Sequence, residues 1–288
     1  MNWVNAIVQG ILLGGLYALF GCGLSLLFGV MGVINLAHGD LAVVAAYLAV
    51  VMLPSIGIAA PLSFLVAIPL FALLGYFGQR TLIQKSLDRG PFTVLLVTFG
   101  ISVVIENGLL ELFSADSHSL NIGSFTSQSI QVGRLSVGVL SVTVFVVAVV
   151  VLLGLQYFLA RARAGRLIRA VADDREAAQL SGADYRHVFG VAAAIAFATV
   201  AVAGIAFGMY SSFNPSIGTS RLLFAFEAVV IGGLGSLWGT LVGGIVLGVA
   251  QAIGAKINPA YGILAGHLVF LAVLAVRPQG ITGGRRSE

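Results

Sequence analysis

The chain has 288 residues, of which 59% are hydrophobic and 9% charged, and its mean hydropathy is +1.05. An ordinary soluble domain, with roughly 25% charged residues, is thereby excluded. The formal charge of +4 is too small to point to nucleic acid, its location mattering more than its size, and the single cysteine, Cys22, excludes an intrachain disulfide or a structural zinc site.

Apolar runs exceed the approximately 20 residues that a membrane-crossing helix needs and lack the alternation of a membrane barrel. An all-α, polytopic integral membrane protein follows, with residues 1–288 forming one transmembrane domain. The first run, about residues 6–28, follows a start without a basic n-region or a small-residue cleavage site. It is expected to be a retained span rather than a signal peptide. Further spans are expected near residues 33–53, 60–78, 92–112, 136–159, 188–211 and 261–277. Residues 223–255 are too long for one helix and barely enough for two, so a short or re-entrant hairpin turning near Gly235–Gly239 is expected. The total is eight or nine crossings, and the side of the N-terminus stays open.

Twelve of the fifteen Lys and Arg residues fall in three places: Arg80, Lys85 and Arg89; Arg161, Arg163, Arg166, Arg169, Arg175 and Arg186; Arg277, Arg285 and Arg286. The positive-inside rule puts these segments in the cytoplasm. The serine-rich stretch from Phe113 to Arg134 and the turn at Asn214 and Pro215 then face outward.

Small residues at four-residue spacing let membrane helices approach closely. Gly10/Gly14, Gly204/Gly208, Gly235/Gly239/Gly243 and Gly244/Gly248 have this spacing, which reads as internal packing before a subunit interface. Glycine-rich interruptions near residues 31–40 and 232–239, one in each half, are candidates for unwound backbone beside a solute path. No residue-level internal repeat accompanies them.

Ionisable groups inside a membrane are costly and should face protein or water. Asp40 lies beside Asn35 and His38, as a structural knot or as pathway lining. Glu106 precedes Asn107, and Glu227 is expected near the outer end of its span. Together with Gly232, Gly233 and Gly235, the residues Asn35, His38, Asp40 and Glu106 form the candidate translocation pathway. GxSxG and HExxH motifs are absent.

The cytoplasmic loop 161–187 holds a short predicted helix over residues 174–181. Asp173 is its expected N-cap, Glu176 completes a capping-box spacing, Gly182 stops it and Asp184 caps the next membrane helix. Arg175, Glu176 and Gln179 would be available to a partner, with Ala177, Ala178 and Leu180 suited to close contact. An amphipathic helix lying on anionic lipid is the blander reading.

Glu176-Ala177-Ala178-Gln179-Leu180-Ser181-Gly182 resembles the EAA loop of ABC-importer permeases. Gly32 to Asp40, Arg169 to Ala178 and Gly232 to Gly239 resemble, in order and spacing, the branched-chain amino-acid permease family of LivH type over nearly the whole chain. The proline often found beyond the EAA glycine in other ABC permeases is missing, and Trp238 stands where the family often has a smaller residue or proline.

The resemblance implies a multi-pass permease of the bacterial inner membrane, importing branched-chain or related amino acids. It implies a coupling helix carrying Asp173, Arg175, Glu176, Ala177, Ala178 and Gly182. Its implied partners are a second homologous permease subunit, two ATPase subunits with ATP and Mg, and an extracytoplasmic solute-binding protein. Neither lysine, Lys85 after Gln84 or Lys256 after Ala255, stands in a P-loop, so this chain is expected to bind no nucleotide and to catalyse nothing itself. A permease for urea or a small amide is the nearest alternative. A secondary transporter or channel using His38, Asp40 and Glu106 is the alternative from another class.

Overall fold

The computed structural model of the chain describes residues 3–56, 62–120, 122–126, 128–132 and 135–282. Arg134, Arg285 and Arg286 lie outside the described residues.

In chain order the elements are α1 (Trp3–Met31), α2 (His38–Ile56), α3 (Ser63–Leu87), α4 (Pro91–Phe113), β1 (Ser129–Val132), β2 (Leu135–Gly138), α5 (Val139–Arg161), α6 (Arg163–Asp173), α7 (Arg175–Leu180), α8 (Tyr185–Tyr210), α9 (Gly218–Gly232), α10 (Leu237–Ile257) and α11 (Tyr261–Val276). The chain is an all-α polytopic membrane protein. Six helices, α1, α3, α4, α5, α8 and α10, are long and apolar enough to cross a bilayer, while α2 as far as Met52 and α11 are shorter apolar helices. Helix α3 carries Pro69 and a π-helical stretch at Gln79–Ile83. The antiparallel β1–β2 hairpin, with Ser129 opposite Gly138, and the amphipathic α6 add to the elements expected from the sequence.

Helices α1 and α8 form the buried centre and run antiparallel, because Phe20 meets Phe207 while Gly23 faces Ala196 and Thr199. Around this pair the chain repeats itself upside down. The antiparallel neighbour of α1 is α10: Gly10 and Gly14 lie against Gly248 and Gly244, so that a Cβ on either side would strike the opposite backbone. The antiparallel neighbour of α8 is α3, with Gly75 on Ala193 and Gly190 on Tyr76. Helix α9 runs parallel to α1, through Tyr17 against Phe224 and Gly21 against Ala225 and Val229. Helix α2 runs parallel to α8, through Gly204 on Ala42 and Gly208 on Ala46. The α1–α3 segment and the α8–α10 segment are therefore inverted counterparts. The small-residue spacings serve this internal packing.

Residues 32–37 and 211–217 are the breaks in the two counterparts. The His38 ring bonds the carbonyl of Phe20, far from the Met31 end of α1, so residues 32–37 climb back along α1 before α2 begins. Residues 211–217 descend in the opposite sense, since Phe213 packs on Tyr47 and Gly218, at the start of α9, lies against Asp40. With α6 beside the Met31 end of α1, that end of the bundle carries the arginine-rich segment that the positive-inside rule assigns to the cytoplasm, and on that assignment α1 begins outside.

The hairpin between α9 and α10 turns at Gly233–Ser236, slightly before the expected position. Gly233 (φ 111°) and Gly235 (φ 81°) supply left-handed backbone there, and close contact of Gly232 with Gly239 holds the two helices together.

This orientation is checked by thiol labelling of single-cysteine variants in a Cys22→Ala background. Ser119→Cys, exposed beyond α4, is expected to react with an impermeant reagent from outside, and Ser181→Cys, exposed after α7, only after the membrane is opened.

Candidate functional site

The start of α2 gathers three of the residues singled out in the sequence. Asn35 closes a turn in which its Oδ1 accepts from the Ala37 amide at 3.0 Å and its carbonyl from the His38 amide at 3.2 Å. The His38 ring is fully buried, and its Nε2 donates to the Phe20 carbonyl at 2.9 Å, which fixes the tautomer and leaves Nδ1 without a hydrogen-bond partner among the described residues. Asp40 is 1% exposed. Its Oδ2 accepts from Ser102 Oγ at 2.5 Å, while Oδ1 has no hydrogen-bond donor among the described residues and lies against Gly218.

Helix α4 presents Thr98, Ser102 and Glu106 to this region at four-residue spacing, and so on one face. Thr98 Oγ1 accepts from the Leu36 amide at 3.2 Å, and the half-buried Glu106 stands one turn beyond Ser102. Beside the cluster is an apolar hollow of about 360 Å³, lined by Ile34, Leu36, Leu95, Leu222, Leu223 and Phe226. Gly232, Gly233 and Gly235 are not part of the cluster. They form the cytoplasmic turn between α9 and α10, where Gly235 meets Gly29. The residue from the second half that does reach Asp40 is Gly218, for which the sequence offers no signal beyond its being glycine. Thr98 and Ser102 were missed by the sequence reading, although their four-residue spacing with Glu106 is a polar stripe that could have signalled them.

Glu227 does not reach the outer interface. It lies past the middle of α9, which runs toward the cytoplasm, and is 1% exposed. His267 of α11 bonds its Oε1 through Nδ1 at 2.5 Å, and the imidazole stacks on Phe224. Two further polar contacts support the same bundle: Tyr17 donates to Gln251 Oε1 at 2.5 Å, and the Arg221 guanidinium lies 4.3 Å from the centre of the Phe207 ring.

The cytoplasmic loop folds as two helices. Asp173 is the last residue of α6 and not the cap of α7; that role belongs to Asp174, whose Oδ1 accepts from the Ala177 amide at 3.0 Å. The extended backbone of Asp174 separates the helices, so the cap falls one residue later than expected. Gly182 stops α7 at φ 87°, and Asp184 caps α8 by accepting from the amides of Arg186 and His187.

Helix α7 is held from beneath. Ala178 is buried, and the Arg175 guanidinium lies 3.7 Å over the ring of Tyr185, so neither projects freely. Glu176, Ala177, Gln179 and Leu180 face solvent, and Leu180 is 91% exposed. Nearby, Tyr76 bonds His187 at 2.8 Å, while Arg80 approaches Asp184 (3.8 Å) and Arg186 approaches Asp88 (3.7 Å). These exposed ion pairs add little stability, but they place the end of α3 beside the start of α8.

Residues 6–274 match the family described as the branched-chain amino acid transport system / permease component. The high-affinity branched-chain amino acid transport system permease protein BraD of Pseudomonas aeruginosa is 31% identical, over 98% of this chain and 96% of its own. The corresponding LivH protein of Escherichia coli K12 is 27% identical over the same shares. The fructose import permease protein FrcC of Rhizobium meliloti is 30% identical over 74% of this chain and 61% of its own.

Glu227 is buried and His267 half-buried, so removing the imidazole strands the more deeply buried group without the hydrogen bond to its Oε1, whereas an amide at 227 keeps an oxygen that can still accept from the imidazole. His267→Ala should therefore lower the melting temperature of the purified chain more than Glu227→Gln, which removes the carboxylate charge. Thermal unfolding in detergent followed by size-exclusion chromatography measures the difference.

Proposed function

The chain belongs to the branched-chain amino-acid permease family, and from that premise we propose that it is the membrane-spanning subunit of a binding-protein-dependent ABC importer in the bacterial inner membrane. Its cargo is leucine, isoleucine, valine or a related amino acid. The observation that carries this reading is α7, a short helix capped at both ends, seated on α8 and presenting Glu176, Gln179 and Leu180 outward. A secondary transporter needs no such element.

An ATPase subunit docked on that face would push on α8, and α8 packs along its outer half on α2, which begins at the Asp40 cluster. ATP and Mg stay on two ATPase subunits, and this chain binds no nucleotide and is not itself an enzyme. Capture of the solute falls to an extracytoplasmic binding protein, and a second homologous permease completes the path. The cargo class is supported by the apolar hollow at mid-depth, which suits a branched aliphatic side chain, beside polar groups suited to the ends of an amino acid. The N-terminal ends of α2 and α9 meet here, and such half-helix ends favour anionic groups.

Two sets of variants test the reading. Glu176→Lys puts a cation into the first turn of α7, at a local cost of about 0.3–1 kcal/mol, and Gly182→Val forces a β-branched residue into left-handed backbone. Both should insert normally yet show weaker ATPase association or ATP hydrolysis uncoupled from uptake. Wild-type, ATP-dependent uptake in both would remove the coupling assignment.

Asp40→Asn keeps the size of the side chain and removes its charge. Uptake by the assembled transporter should fall by about tenfold or more, with its amount in the membrane unchanged. Normal uptake, or loss of the assembled complex, would assign Asp40 to architecture alone.

A further inference from the structure

A second polar cavity, of about 490 Å³, lies on the cytoplasmic side, away from the Asp40 cluster. Its volume is within the roughly 300–1,000 Å³ of small-molecule sites. It opens where the cytoplasmic end of α1, the last turns of α5, helix α6 and the Gly235–Trp238 turn come together. We propose that this cavity is a binding site for a free aliphatic amino acid on the cytosolic side, through which accumulated product slows the transporter. The choice of ligand rests on the cargo reading above.

Charge decides the class of ligand. Helix α10 begins at the cavity, and its first amide groups have no partners within the helix; Ser236 Oγ satisfies only the Gly239 amide, at 3.0 Å. Arg169 lines the same space, and its recorded bond is a long one of 3.4 Å to the Ala160 carbonyl. Both features attract a carboxylate. Asp173, four residues along the same face of α6, adds a negative charge, and among the described residues no ion pair joins it to Arg169. A simple anion is opposed by Asp173, and a simple cation by Arg169 and the helix end. A zwitterion satisfies both.

Two further observations favour a ligand. Ser25 of α1, wholly buried, belongs to the wall of the cavity, and its Oγ has no hydrogen-bond partner among the described residues, which is costly for a buried hydroxyl. Apolar walls from Leu26, Val30, Leu159 and Ile168 suit an aliphatic side chain. The position supplies the regulation, because α6 leads directly into α7 and a ligand bridging α6 to α1 and α10 resists movement of α7.

Trp238 at the cavity and Trp3 at the start of α1 are the two tryptophans of the chain. In the full-length chain carrying Trp3→Phe, in lipid nanodiscs, L-leucine should produce a saturable change in Trp238 emission. Arg169→Gln, which removes a charged hydrogen bond, should raise the half-saturating concentration about tenfold or more, and Ser25→Ala should raise it severalfold. Isovalerate and isopentylamine, each keeping one charge of leucine, should bind more weakly than leucine.

In proteoliposomes of the assembled transporter, leucine preloaded on the ATPase side should slow uptake, and Arg169→Gln should relieve the inhibition. No emission change, an unchanged response in Arg169→Gln, or isovalerate binding as well as leucine would overturn the site. Saturable binding without slowed uptake would overturn the regulatory role. An emission response in a transporter that carries no leucine would overturn the cargo reading while supporting the site.

Discussion

A backbone amide that leaves its helix at membrane depth must find a partner in the protein, because hydrocarbon offers none. That constraint governs the turn that starts α2. The Ala37 amide is met by Asn35 Oδ1, the Leu36 amide by Thr98 Oγ1 and the His38 amide by the Asn35 carbonyl, while the His38 ring ties the turn to the Phe20 carbonyl of α1. Asn35 and His38 are therefore committed to holding the break open. Asp40 differs, since one of its oxygens is satisfied by Ser102 and the other faces Gly218 without a donor. Among the described residues the turn engages Asn35 Oδ1 and one nitrogen of His38, and leaves one oxygen of Asp40 without a hydrogen bond.

The inverted arrangement follows from close backbone approach. Gly39 stands so near the Gly218 carbonyl that neither position has room for a side chain, the same holds where α1 meets α10, and Gly204 of α8 has no room for one against the Ala42 backbone. In lipid, tight packing of this kind supplies association that the hydrophobic effect does not. It is a demand on backbone separation, met by glycine or alanine at scattered positions, and so two segments obey it without sharing a residue pattern.

This explains what could be read from the sequence. Charge-free runs marked the long apolar helices, and the clustered arginines fall between them, because the cost of charge in hydrocarbon acts on composition. The depth of Glu227 was hidden, since residues 211–217 descend to Asp40 before α9 begins at Gly218, and Arg221 and Glu227 find partners only in the folded bundle, in Phe207 and His267. Helix α6 was hidden by its arginines, which read as a loop until their alternation with Ile168 and Val171, both buried, is seen to form one face. Asp173 and Asp174 are equally good caps by type, and where α6 ends decides between them. Gly182 and Asp184 were assigned correctly because a left-handed stop and a side-chain cap are local requirements.

The pairing of the helices also bears on how a push at the cytoplasmic face reaches mid-depth. Helix α2 belongs to the first counterpart but packs on α8, while α9 belongs to the second and packs on α1. The contact of Asp40 with Gly218 therefore lies on a seam between a body carried by α8, with α2 and α3, and a body carried by α1, with α9 and α10. In the proposed importer α7 acts on the first of these bodies through Tyr185 and Ala178. A small shift of α8 along α1 would then change the spacing of Asp40 and Gly218 without unfolding either break, since the bonds of the turn at Asn35 move with α2. The Phe20 carbonyl, which belongs to α1, is the exception: its bond to His38 crosses the seam and would resist the shift. His38 thus restrains the same movement that α7 would drive.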